Sequence, residues 1–314
     1  MKYILPFSTI LIILSSCGDA KLSPAESEVQ LGEKLFFDPV LSRDSSVSCA
    51  TCHQPDHAFA DLTPTSEGVF KRFGTRNAPS CMNMKDRNLY FWDGRAGTLE
   101  EQAMGPIENP VEMDLPLTIA VRRLMHSAYY YQSFVNVFGK KPSKELLAQA
   151  ISSFERTLET SNTPFDRYLQ KKDTNALSVS AKRGLDLFNG KAKCFDCHFG
   201  TDFTGNDQFR NIGLYNGKNL NDKGRYEITK KESDMGRFKV SGLRNIAMTA
   251  PYKHNGMHKT LRDVIDYYDE PDKFVNNSIN RDTLLNKPLN LSDQEKKDLE
   301  NFLLSLTDDR FVKK

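Results

Sequence analysis

Two short stretches of this sequence carry the same five-residue pattern, Cys49-Ala50-Thr51-Cys52-His53 and Cys194-Phe195-Asp196-Cys197-His198. In Cys-x-x-Cys-His both thiols can add to the vinyl groups of a haem, and the adjacent histidine is thereby placed on the iron as an axial ligand. The porphyrin edge fixes order and spacing, which makes the pattern far more selective than Cys-x-x-Cys alone, a motif shared with redox dithiols and zinc sites. A zinc site built from both pairs is disfavoured because each pair runs directly into a histidine. The residues therefore predict two covalently bound haem c groups, one on Cys49 and Cys52 and one on Cys194 and Cys197. His53 and His198 are the expected proximal ligands.

These motifs need elements to hold them. Each is preceded by a similar helical lead-in, Glu28 to Phe37 and Ser180 to Asn189, with a shared Gly-x-x-Leu-Phe core at Gly32/Leu35/Phe36 and Gly184/Leu187/Phe188. This is an internal repeat of domain size rather than solenoid size. Leu117 to Phe138 and Lys144 to Leu158 carry apolar residues at three- and four-residue steps and read as amphipathic helices. Ser292-Asp293-Gln294-Glu295 has the form of a capping box that opens a helix to Leu306. Strand alternation is scarce, and long Gly/Pro/Asn-rich loops join the helices. The fold expected is mainly α: two cytochrome c-like haem domains packed against each other, over 28–160 and 179–314. The polar stretch 161–178, with Pro164, is the expected linker.

The chain has 314 residues, 39% hydrophobic and 27% charged, which suits a globular protein of about two domains. Its formal net charge is +2 and it lacks a basic run that would grip phosphate, so nucleic acid is not an expected partner. At the N-terminus, Lys2 precedes an apolar stretch, Tyr3 to Leu14, too short to span a bilayer comfortably. It ends in Leu14-Ser15-Ser16-Cys17, which resembles a bacterial lipobox. Residues 1–17 thus read as a lipoprotein signal with Cys17 lipidated, and 18–27 as a tether. The expected location is the periplasmic side of a bacterial membrane, held only by a lipid anchor. Of six cysteines, Cys81 is left over and reads as a buried, inert thiol.

Between the motifs stand Gly74-Thr75-Arg76-Asn77-Ala78-Pro79, Phe91-Trp92-Asp93-Gly94-Arg95-Ala96, Leu99-Glu100-Glu101-Gln102-Ala103 and Asn109-Pro110-Val111-Glu112-Met113. After them come Leu243-Arg244-Asn245 and Thr249-Ala250-Pro251-Tyr252-Lys253-His254-Asn255-Gly256. Together these closely resemble the bacterial di-haem cytochrome c peroxidases and their MauG relatives, from about Gly32 to Leu306. The resemblance implies an enzyme that uses hydrogen peroxide at the N-terminal haem, with electrons entering through the C-terminal haem. Glu112 matches the family's distal acid/base. A peroxide must move a proton from one oxygen to the other before its O–O bond breaks heterolytically, and a carboxylate in a closed pocket can carry it. Gln102 matches an amide of the same pocket. Trp92, the only tryptophan, matches the residue placed between the haems as an electron relay. Asn77, Thr249 and Pro251 match positions whose oxygens hold a calcium ion, and oxygen ligation suits that hard cation.

Two positions depart from the peroxidase pattern. Val69 takes the place of a histidine that caps the N-terminal haem in resting peroxidases, and valine cannot ligate iron. His57 follows His53 by only four residues, so reaching the opposite haem face is difficult. At the C-terminal haem, the methionine ligand is expected fourteen residues after His254, where this chain has Tyr268; MauG relatives have a ligating tyrosine there. Met248 and Met257 are the alternative ligands, and neighbouring Tyr267 points to another helix face. Three functions follow: a peroxidase fed by a cytochrome c or cupredoxin, a MauG-like enzyme that oxidises residues of a partner protein, or a plain electron-transfer cytochrome. The oligomeric state is left open, with a homodimer as one option.

Overall fold

The computed structural model describes residues 24–170 and 172–312; Cys17 and the stretch read as a lipoprotein signal lie outside the described residues. In chain order the helices are α1 (Glu28–Phe37), α2 (Cys49–Cys52), α3 (Leu99–Glu108), α4 (Leu117–His126), α5 (Ala128–Phe138) and α6 (Lys144–Glu155). They continue with α7 (Pro164–Gln170), α8 (Val179–Asn189), α9 (Tyr226–Thr229), α10 (Leu261–Asp269) and α11 (Asp293–Leu304). Two short strands, β1 (Phe209–Arg210) and β2 (Phe238–Lys239), pair antiparallel. The protein is thus mainly helical, as its patterning predicts.

The repeated Gly-x-x-Leu-Phe core has a clear physical use. A Cβ on Gly32 would stand 1.9 Å from the Ala150 carbonyl oxygen of α6, and one on Gly184 would stand 2.0 Å from that of Asp298 on α11. Glycine lets α1 close onto α6, and α8 onto α11, backbone against backbone. The phenylalanine of each repeat then meets the helix it crosses: Phe36 packs on Phe154 with centroids 5.2 Å apart, and Phe188 on Phe302 at 5.1 Å. A third ring completes each cluster, Phe59 in the first half and Phe203 in the second. Two separate apolar cores result, one around Leu35, Phe36 and Phe154 and the other around Phe188, Phe302 and Leu306.

Three segments differ from their sequence-based expectation. Leu117 to Phe138 is two helices, because Ser127 leaves helical geometry and its hydroxyl accepts from the Tyr130 N–H, capping α5. The stretch read as a linker contains α7, whose Phe165 is buried in the second core. The end of the stretch read as a tether is docked: the Ala25 N–H donates to Ser133 Oγ at 2.9 Å. The capping box at Ser292 and Glu295 is present as expected.

The halves are joined by buried polar contacts. Asn245 donates to Thr160 Oγ1 at 2.8 Å and accepts from the Asp308 N–H at 2.8 Å, while Asn83 donates to the same threonine at 2.9 Å. Asn245 has φ +59, a left-handed conformation that asparagine tolerates better than most residues. Among the described residues no helix is long and apolar enough to cross a membrane.

Candidate active site between the two haem motifs

Each Cys-x-x-Cys-His motif follows its Gly-x-x-Leu-Phe helix and turns its histidine the same way. His53 Nδ1 donates to the Phe59 carbonyl at 3.1 Å, and His198 Nδ1 donates to the Phe203 carbonyl at 2.9 Å. The accepting carbonyls belong to the residues whose side chains supply the third rings of the two aromatic clusters. A carbonyl on Nδ1 fixes the tautomer that leaves Nε2 unprotonated, the form that coordinates iron. Burial pushes the His53 imidazole down and that of His198 down to about 4, so both stay neutral.

A single continuous cavity of ≈ 450 Å³ runs past both motifs. Its wall includes Cys49, Cys52 and His53, and also Cys194, Cys197 and His198. Cysteines, a neutral imidazole and apolar walls at each end fit a covalently attached haem. The wall also takes in Trp92, Gln102, Glu112, Asn77, Thr249, Pro251 and Tyr268. Residues matched one at a time in the sequence are therefore brought together around one space.

Glu112 follows α3 on a turn where its N–H donates to the Asn109 carbonyl. Asn109 Nδ2 donates to Glu112 Oε1 at 2.7 Å. Burial raises the Glu112 carboxyl above its usual range, opposed by the charge of Arg95 and by the Asn109 bond. Gln102 reaches the same cavity from α3. Val69 is fully buried and its N–H donates to the Glu112 carbonyl at 2.8 Å. The preceding Gly68 lies so close that a Cβ there would stand 2.3 Å from the Val111 oxygen. The Val69 loop is thus fastened to the backbone that carries Glu112. His57 is not among the residues of the cavity wall.

Trp92 donates from Nε1 to the Asn77 carbonyl at 2.8 Å, and its ring meets that of His254 edge-on at 6.4 Å. Its turn is clamped from the other half of the chain. The Lys239 N–H donates to the Trp92 carbonyl, and Arg225 donates to the carbonyls of Asp93 and Gly94. Gly94 has φ +68 and no room for a Cβ, which would stand 2.5 Å from Phe209. Arg76 bridges Asp93 at 2.6 Å and Asp222 at 2.7 Å. Arg76 stood in a motif with no role assigned to it, and Asp222 and Arg225 are not singled out by the sequence. Their partners lie far along the chain, so no local signal could have found them.

At the second motif, Tyr268 lines the cavity while Met248 and Met257 do not. Met248 packs against the first core, and Met257 is 38% exposed. Tyr267 is fully buried and its hydroxyl donates to the Ile212 carbonyl at 2.6 Å. Lys253 lays its ammonium 3.7 Å from the Tyr268 ring centroid. Asn77, Thr249 and Pro251 offer only neutral oxygens. Among the described residues no group of three or more His, Cys, Asp or Glu side chains could hold a metal ion.

Residues 26–174 match the family model of the di-haem cytochrome c peroxidases, which also bears the MauG name. The chain is 37% identical over 291 residues to the methylamine utilization protein MauG of Methylorubrum extorquens, covering 91% of this chain and 80% of that one. This chain belongs to the di-haem cytochrome c peroxidase and MauG family. A second relative in the family is the cytochrome c551 peroxidase of Pseudomonas aeruginosa, 41% identical over 249 residues, covering 77% of this chain and 71% of the relative. Among solved structures, a MauG-like protein associated with microbial copper homeostasis superposes with a TM-score of 0.82 at 32% identity, covering 92% of this chain and 93% of that one. The diheme peroxidase BthA of Burkholderia thailandensis gives 0.79 at 26% identity, covering 91% of this chain and 87% of that one. Membership implies two haem c groups, and the four cysteines and two histidines of the cavity are the residues that fit them.

Proposed function

We propose that this chain is a peroxidase that reduces hydrogen peroxide to water with electrons from a small redox protein, a cytochrome c or cupredoxin. The observation that carries this reading is Glu112, a carboxyl raised by burial in the wall of the cavity that also holds His53. Haem iron, when bound, supplies the site for peroxide and the store of electrons. Glu112 accepts a proton from peroxide and returns it to the departing oxygen, while Asn109 holds its carboxylate in place. Gln102 orients peroxide through its amide. Trp92, fixed by its bond to Asn77, is the relay between the two haem sites. His53 and His198 would hold the two irons and Tyr268 would be a further ligand of the second, a reading supported by Tyr268, and not Met248 or Met257, lining the cavity. Asn77, Thr249 and Pro251 are proposed to share a calcium ion, with water completing its shell. Export under a lipid anchor on Cys17, on the periplasmic side of a bacterial membrane, completes the reading.

A second reading, in which peroxide drives oxidation of a partner protein as the resemblance to MauG implies, is favoured by Tyr268 and by Val69 in place of a ligand. Mixing the holoprotein with hydrogen peroxide and a reduced small cytochrome c separates the two. Turnover of the cytochrome supports the first reading. A long-lived spectral change with no oxidation of the cytochrome points to the second. Inertness toward peroxide overturns both and leaves an electron-transfer cytochrome.

A further inference from the structure

Glu155 ends α6 and is assigned no part in the reading above. It is only 5% exposed, and its Oε2 is buried without a hydrogen-bond partner among the described residues. It lines the cavity together with Cys49 and Cys81. Most of the buried face of α6 is apolar, from Leu147 through Ile151 to Phe154, so this carboxyl interrupts a core surface. A buried polar atom without a partner is costly, and such groups in native proteins call for an explanation.

The charges around it compensate it only in part, Arg156 lowering its carboxyl and Glu100 raising it. Arg156, next in the chain, is taken by Glu100 of α3 in a two-pronged pair at 2.7 and 3.0 Å. From α1, Glu28 is held by Gln149 and Ser153 of α6. From α4, Arg123 donates to the carbonyls of Val40, Ser42 and Arg43. The remaining neighbours are the thiol of Cys81 and the sulfur of Cys49 on α2, which as the attachment point of the first haem becomes a thioether without a titratable proton. Burial pushes the Glu155 carboxyl up to about 8. The charge that varies beside it is therefore that of the haem itself, whose iron–porphyrin core carries one positive charge when ferric and none when ferrous. In a poorly screened cavity that difference acts strongly on a nearby carboxylate.

We propose that Glu155 is the redox-linked proton site of the first haem. The inference rests on the reading that a haem is seated on Cys49, Cys52 and His53. One electron enters from the external donor, one proton enters from solvent, and an O–H bond forms on the Glu155 carboxyl. Oxidation returns both, so charge in the cavity stays balanced through each one-electron cycle. A buried acid of this kind keeps a proton at hand for a reaction that consumes two protons per peroxide.

Spectroelectrochemical titration of the holoprotein without peroxide tests this, and its outcome does not depend on whether peroxide is turned over. The midpoint of the first haem is expected to fall with rising pH, by up to about 59 mV per pH unit for one proton per electron. In Glu155→Gln this dependence disappears, whereas Glu155→Asp keeps it over a displaced pH range. An equal slope in wild type and Glu155→Gln overturns the proposal, since a purely structural side chain or another proton site would give that result. If Glu155→Gln fails to mature, redox-difference infrared spectra of wild type decide. A carboxylic acid C=O band gained on reduction supports the proposal, and no such band refutes it.

Discussion

Glu112→Gln is expected to slow the reaction of the holoprotein with hydrogen peroxide while leaving the fold untouched. The substitution is nearly isosteric, and the new amide oxygen accepts the same 2.7 Å bond from Asn109 Nδ2 that Oε1 accepts now. It also removes a charge whose burial opposes ionisation, so thermal stability should hold or rise slightly. What is lost is the ability to take and return a proton. Proton transfer by a positioned side chain contributes roughly 10²–10⁴-fold. At about 1.36 kcal/mol per factor of ten, that is roughly 2.7–5.4 kcal/mol of barrier. Stopped-flow absorbance of the haem bands after mixing with excess peroxide measures the step directly, with haem content and melting temperature as controls. A rate constant within about threefold of wild type, far short of the 10²-fold lower bound, would refute the role given to Glu112.

Other outcomes follow from the same geometry. Tyr268→Phe should alter the low-spin electron paramagnetic resonance signals of the second haem, whereas Tyr267→Phe, which loses only its bond to the Ile212 carbonyl, should leave them in place. Trp92→Phe gives up the bond from Nε1 to Asn77, so passage of donor electrons to the first haem should slow, at a stability cost of about 1 kcal/mol, read by stopped flow and thermal unfolding. Gly184→Ala forces a Cβ to within 2.0 Å of the Asp298 oxygen, and overpacking of about 1–3 kcal/mol or more should exceed the roughly 1 kcal/mol gained in helix propensity, lowering the melting temperature. Glu155 also affects stability: a carboxyl raised on folding to about 8 favours the native state below the ordinary carboxylate range, and that support is lost as pH climbs through the raised value. Denaturant unfolding of the reduced holoprotein should thus show a Glu155 contribution that falls with pH by at most about 1.4 kcal/mol per pH unit, so Glu155→Gln flattens the profile relative to wild type.

The helices were legible where local chemistry sets them. Ser292 and Glu295 announce the start of α11 four residues at a time, and the step of apolar residues announces α6. The pattern failed at Ser127 because a side-chain cap there outweighs periodicity that continues on both sides of it. It failed again at α7, where a polar, proline-bearing stretch conceals Phe165, a residue buried only because the second core receives it. At the site, residue types at Glu112, Gln102, Trp92 and Tyr268 were readable through resemblance to a family, but their convergence on one cavity was not.

By itself the sequence carried the two Cys-x-x-Cys-His motifs that fit two haem c groups, because a thioether pair and its histidine span five residues and need no distant partner. It also determined the glycines that bring α1 to α6 and α8 to α11, since the repeat writes the same close approach twice. Only the tertiary structure decided that Tyr268 rather than Met248 or Met257 faces the cavity, and that Tyr267 spends its hydroxyl on Ile212. It alone clamps the Trp92 turn with Arg225 and Lys239, and leaves Glu155 Oε2 without a partner among the described residues. Those outcomes depend on which buried groups meet across more than fifty residues of chain, and short-range pattern carries no information about that.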